Sequence, residues 1–255
     1  MRPSVSRATA PLIAALILAA CQGQPVKLLT DPNEILAAAA TTAASSSSVH
    51  VDVAVDGTVA IDPLGTGSAA PLDLRDTTLN ADLDLQNGKT KATFAAPALI
   101  GLAGEVIVAD AVYLKSTFTG PKYRKTPIQG TPQSPLKGLT DLLARADLAP
   151  TKGADVPCPG GTCYTLGIKL DSAELGALLG GVTLPSDLPL PIPDIAVSTV
   201  DLTLHIEQRT TRLADATATI DLGDTGTLDL EATFTKWNES VQIAPPPADQ
   251  VDAAG

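Results

Sequence analysis

The run Val49-His50-Val51-Asp52-Val53-Ala54-Val55-Asp56 decides how this chain folds. Valine takes every odd position, and His50, Asp52, Ala54 and Asp56 take the even ones. Successive side chains of a strand point to opposite faces, so this alternation makes a strand with one apolar face and one wet face. A strand wet on one side belongs to an antiparallel sheet, because parallel strands are covered on both faces.

The same period recurs downstream. Leu79, Ala81, Leu83 and Leu85 alternate with Asn80, Asp82, Asp84 and Gln86. Asn87-Gly88 is then a tight hairpin turn, and Lys89 to Phe94 is the return strand. Glu105–Val108 and Val112–Lys115 form another hairpin around Ala109-Asp110-Ala111. Tyr164, Leu166, Ile168 and Leu170 alternate in a further strand. In the C-terminal third, Val200, Leu202, Leu204 and Ile206 share a face. So do Ala214, Ala216, Ala218, Ile220 and Leu222, and so do Leu228, Leu230, Ala232 and Phe234.

Helical patterns interrupt the strands three times. Asp31-Pro32-Asn33-Glu34 opens the first: Asp31 caps, Pro32 suits the first helical position, and Glu34 completes a capping box. It runs through the alanine tract to about Ala44 and ends in Ser45–Ser48, because serine competes for backbone hydrogen bonds. The second spans Leu136 to Leu148, with Leu139, Leu142, Leu143 and Ala146 on one face. The third runs from Asp171 to Leu179 and stops at Gly180-Gly181. Leu184 to Pro193 is an extended proline-rich loop, and Pro245-Pro246-Pro247 opens a flexible tail, residues 244–255. Helices scattered among antiparallel strands give an α+β fold: a single large antiparallel sheet with helices gathered on one face. One domain spans residues 31–243.

The N-terminus has the layout of an export signal. Arg2 and Arg7 precede the apolar stretch Pro11 to Ala20, which is too short to cross a membrane. Leu18-Ala19-Ala20-Cys21 then resembles the bacterial lipobox. This reading makes residues 1–20 a signal peptide, Cys21 the acylated first residue, and residues 21–30 a tether. An ordinary signal peptide that happens to contain a cysteine is the other reading. Cys158 and Cys163 remain, and in an exported chain a close even pair reads as a disulfide pinning a turn. No histidine stands nearby to complete a zinc site.

The formal net charge is −11, and losing Arg2 and Arg7 makes the mature chain more acidic still. Such a surface repels phosphate backbones, so nucleic acid is not an expected partner. Catalytic groups are sparse. His50 and His205 fall on the polar faces of strands, in neither a metal spacing nor a nucleophile-elbow context. Gly65-Thr66-Gly67-Ser68-Ala69-Ala70 resembles a dinucleotide fingerprint without its strand–helix frame and reads as a loop. The many carboxylates alternate with apolar residues as solvent-face fillers. An enzyme is therefore not expected, nor is a metal or cofactor.

Aromatic residues make up 3% of the chain, so aliphatics must fill the core or leave it partly unfilled. Alanine stands at Ala81, Ala92, Ala214, Ala216, Ala218 and Ala232, where a packed sheet often has larger residues. Leucine-rich candidate lids lie at Leu99, Ile100 and Leu102, at Leu139, Leu142 and Leu143, and at Leu175, Leu178 and Leu179. The lids, with Ala214, Ala216 and Ala218, are the cavity candidates. Alanine equally permits close helix approach, and leucine stripes equally form ordinary core.

The chain resembles the mycobacterial LppX/LprA/LprF/LprG lipoprotein family. The likeness rests on the order and spacing of the Cys21 lipobox, the capped alanine-rich helix ending in serines, and the Val49–Val59 strand. It continues through the Glu105–Val108 to Tyr113–Lys115 hairpin and Gly138-Leu139-Thr140-Asp141-Leu142-Leu143. It ends with Thr233-Phe234-Thr235-Lys236-Trp237, Asn238 and Val241. The Cys158–Cys163 loop and the Leu184–Pro193 segment look like local additions. The resemblance implies a strongly curved half-barrel closing an apolar cavity against its helices. It also implies that the cavity holds a lipid or lipoglycan for carriage across the envelope. The protein would be exported and lipid-anchored to the outer face of the cell membrane or to the cell envelope, with a membrane transporter as candidate partner. A surface lipoprotein with a packed core, acting in adhesion or as a scaffold, is the alternative; an accessory subunit binding an apolar small molecule is a third.

Overall fold

The computed structural model describes residues 28–61, 69–128, 136–145, 148–171 and 199–252. Strand β1 (Ser48–Ile61) is its axis. The valines at alternate positions share one face here, and the residues between them take the other: Val49 and Val51 are buried, while Ala54 and Asp56 are exposed. β1 pairs antiparallel with β3 (Thr77–Asp84) on one side and β13 (Gly226–Thr235) on the other. β3 continues into β4 (Lys89–Ala96), β5 (Leu102–Val108), β6 (Ala111–Ser116) and β7 (Arg124–Pro127). β13 continues into β12 (Leu213–Asp221), β11 (Thr199–Glu207), β10 (Gly161–Asp171) and β8 (Thr151–Lys152). β2 (Ala70–Asp73) pairs with the end of β1, and β9 (Val156–Cys158) pairs with the start of β10. All these strands form one 13-stranded antiparallel sheet that ends at β7 and β8 without closing, an open half-barrel.

The first helix, α1 (Pro32–Ser45), forms as its sequence dictates. The Asp31 carboxylate accepts a 2.8 Å hydrogen bond from the Asn33 amide, and Pro32 holds the first turn. Its buried face is Ile35, Leu36, Ala39, Ala40 and Ala43. Alanine at three of these positions lets the helix axis lie close to the sheet. Leu29, just before it, donates its amide to the Tyr164 hydroxyl at 2.8 Å, tying the helix start to β10.

Several expectations need correction. The second helix is only α2 (Lys137–Leu143), shorter than the expected 136–148. Gly138 weakens it at its start, and Pro150 opposes helical backbone at the residue before it. Leu148 still reaches the core, from outside the helix. The alternation through Ala214 is broken by a bulge between β11 and β12: Ile206 pairs with Leu213, yet His205 pairs with Asp215. The extra residue shifts parity by one, so Leu213 takes the core seat expected of Ala214. Of the segment expected as a flexible tail, the described part, up to residue 252, contacts the sheet: Tyr123 pairs with Val251, and the Tyr123 amide donates to the Gln250 carbonyl at 2.8 Å. Finally, short strands β2, β7, β8 and β9, not expected from the sequence, extend the sheet. Asp171, expected to open the third helix, instead ends β10; the rest of that helix, the loop from Leu184 to Pro193 and Cys21 lie outside the described residues.

Cys158 and Cys163 form a disulfide across the β9–β10 turn, with Cα atoms 5.8 Å apart.

Candidate functional site

Register fixes which side chains share the inner face of the sheet. One row runs Leu79–Val53–Ala232–Ala216–Leu204–Leu166 across β3, β1, β13, β12, β11 and β10. The next runs Val55–Leu230–Ala218–Leu202–Ile168, and a third runs Leu228–Ile220–Val200–Leu170. On the other side of β1, Phe94 lies opposite Leu79, and Val106 lies opposite Ala92. On β1, β3, β4 and β11 to β13 this face carries no ionisable side chain.

Burial on the face is uneven. Val49, Val51, Leu83, Tyr164, Leu166, Leu204 and Ile206 are fully enclosed in one cluster with Ile35, Leu36 and Leu143. Along the same strands, away from α1, cover falls off. Val53, Val55, Phe94, Leu202, Ala216, Ala218, Ile220, Leu228, Leu230 and Ala232 are only half-buried, and Leu79 is 37% exposed. A central strand normally has its apolar face covered, whereas this stretch of apolar face is only half-covered. The Thr77 hydroxyl, opposite Val55, is a buried polar atom there with no hydrogen-bond partner.

The cavity candidates fall into four groups. Ala216 and Ala218 lie in the half-covered rows, and Ala214 sits buried at the bulge. Leu139 is partly buried against the main core and Leu143 is buried within it; Leu142 is in α2, its side chain outside the described set. Leu102 is buried at the start of β5, Leu99 is half-buried, and Ile100 projects into solvent, 89% exposed, apart from the core. Leu175, Leu178 and Leu179 lie outside the described residues. Sequence reasoning passed over Val53, Val55, Phe94, Leu202, Leu228 and Leu230. Their parity was legible, but alternation reports a face, not how completely it is covered.

Polar chemistry gathers on the other face. A groove of about 440 Å³ there is lined by Asp56, Thr78, Thr217, Thr219, Asp229 and Glu231, whose parity points outward. It is acidic and hydroxyl-rich, unsuited to hydrocarbon. His50 Nδ1 lies 2.7 Å from Asp82 with Nε2 3.3 Å from Asp52, and His205 Nδ1 lies 2.6 Å from Asp215. These are cross-strand and same-face pairs on the outer surface. Among the described residues no three metal-ligating side chains converge, and no helix is long and apolar enough to cross a membrane.

No protein-family model matches the sequence, and no curated protein matches it. Solved structures do match. LprF from Mycobacterium bovis superposes with a TM-score of 0.53 at 20% identity, over 86% of this chain and 98% of that one. The lipoprotein LppX from Mycobacterium tuberculosis aligns at 19% identity over 84% of this chain and 100% of that one, with a TM-score of 0.46. A LolA superfamily protein from Nitrosomonas europaea aligns at 9% identity over 87% and 97%, with a TM-score of 0.28. The likeness to LprF shows that this chain has the LprF fold.

Proposed function

We propose that this protein is an envelope lipoprotein that binds the acyl chains of a lipid or lipoglycan on the half-covered inner face of its sheet and carries that lipid across the envelope. One observation carries the reading: several apolar rows, free of charge, lie half-covered in the middle of a continuous sheet. Each methylene removed from water there contributes about 0.8 kcal/mol, so a long acyl chain binds without a charged partner. The fold shared with LprF supports the reading, as does the name of LppX as a lipoprotein. The lipobox at Cys21 supports anchorage.

The test is extraction of the chain from Gln22 onward with organic solvent, followed by mass spectrometry. Copurified long-chain lipid is the expected result. A clean extract with no uptake of a fluorescent fatty acid would leave the packed scaffold as the better reading. Ala218→Phe is the second arm. With room before Ala218 it lowers loading and leaves stability unchanged; overpacking would instead cost about 1–3 kcal/mol.

A further inference from the structure

Two large apolar side chains stand in solvent at one end of the sheet. Ile100 is 89% exposed, in the turn 97–101 between β4 and β5. Phe118 is 44% exposed, in the turn 117–122 between β6 and β7. The turns are fastened together: the Thr117 amide donates to the Ala103 carbonyl at 2.9 Å, and its hydroxyl donates to the Gly101 carbonyl at 3.3 Å. The backbone at Ile100 is left-handed, φ +55°, a conformation that β-branched residues strongly avoid. The fold sustains that strain to present a side chain with no packing role, and an outlier of this kind points to function.

The charge around these tips is also distinctive. Lys122 lies in the second turn and Arg124 opens β7; both are exposed, and neither has an ion-pair partner among the described residues. Neighbouring cations are engaged, Lys115 with Glu105 and Lys125 with Asp110. On the opposite flank Asp73 is paired with Arg75, and Asp76 remains. Lys122 and Arg124 thus place two exposed, unpaired cations beside the two apolar tips, with the exposed Asp249 and Asp252 of the C-terminal segment alongside Tyr123 between them. The rim adjoins the half-covered inner face: β4 leads from Phe94 directly into the first turn, and Leu79 lies opposite Phe94.

We infer that this rim docks on an anionic lipid surface, with Ile100 and Phe118 entering the headgroup region and Lys122 and Arg124 meeting its phosphates. Apolar insertion and cationic attraction are each weak alone and sufficient together. Two tips on turns offer far less area than the ~1,000 Å² a stable second copy needs, which favours a lipid surface. The purpose of docking rests on the carrier reading above; its chemistry does not.

The test uses the chain from Gln22 onward, which contains every element of the described fold. It is floated with vesicles of phosphatidylcholine, alone or mixed with phosphatidylglycerol. Binding to the mixed vesicles is expected, weakened about tenfold or more by Ile100→Ser with Phe118→Ser. Lys122→Glu with Arg124→Glu removes the preference for phosphatidylglycerol and the sensitivity to salt. Thermal unfolding of the Lys122 and Arg124 variant stays at the parent value, since both side chains are exposed, and the Ile100 and Phe118 variant still unfolds in one cooperative transition, since neither side chain belongs to the core. Three results overturn the proposal: the parent chain fails to float, the apolar variant floats as the parent does, or the chain self-associates through these tips without binding vesicles. Lipid content in organic extracts of the same proteins separates the two readings. Loaded protein that does not dock removes this inference alone; empty protein that docks removes the carrier alone.

Discussion

Glu105 lies on the outer face of β5, where its carboxylate accepts a 2.6 Å hydrogen bond from the Tyr123 hydroxyl. Lys91 and Lys115 each approach to 3.5 Å. Burial pushes the carboxyl upward, but the Tyr123 hydrogen bond and the two lysine charges outweigh it, leaving it below its ordinary 4.5. A carboxyl depressed on folding contributes stability above its unfolded value, and that contribution is lost as pH falls through the folded one. Melting temperature should therefore drop as pH is lowered below about 4.5, and Glu105→Gln should flatten that acid limb. An unchanged acid limb in the variant would show that Glu105 is not the responsible group. The sequence placed Glu105 in a hairpin. It could not bring Tyr123 to it, because that contact needs β7 beside β6. Residue parity was equally readable until Ala214, where one bulged residue moved Leu213 into the core. Alternation along β12 has no means of showing that Ala214 itself is left unpaired against β11.

At the scale of elements, the long strands and α1 were legible because local rules determine them: period-two valines and leucines, an Asn-Gly turn, and an Asp-Pro helix start. The C-terminal strap was not. Its prolines hide any periodic pattern, yet Val241, Ile243 and Val251 pack on Ile107, Tyr113 and Tyr123. That apolar patch is made by β5, β6 and β7 together, so no one segment announces it. Ending the chain after Ser240 should destabilise the protein by about 2–4 kcal/mol, read by urea unfolding. Lipid loading per folded molecule should stay unchanged, since the strap covers the outer face. A truncated chain of parental stability would show that the strap contributes nothing.

For the molecule as a whole, the carrier reading needs both a tether and an open sheet. Cys21→Ala should release the protein from the membrane fraction into a high-salt wash, which also removes any docking through Lys122 and Arg124. Retention of the variant through that wash would count against acylation at Cys21. The sequence by itself determined the antiparallel sheet, its apolar and wet faces and the capped helix, because each follows from contacts between near neighbours. Only the tertiary structure decided how much of the apolar face stays uncovered, that Leu213 displaces Ala214, and that Ile100 and Phe118 meet at one rim. Those outcomes depend on where long-range pairing sets one strand against another, and alternation along a single strand contains no record of it.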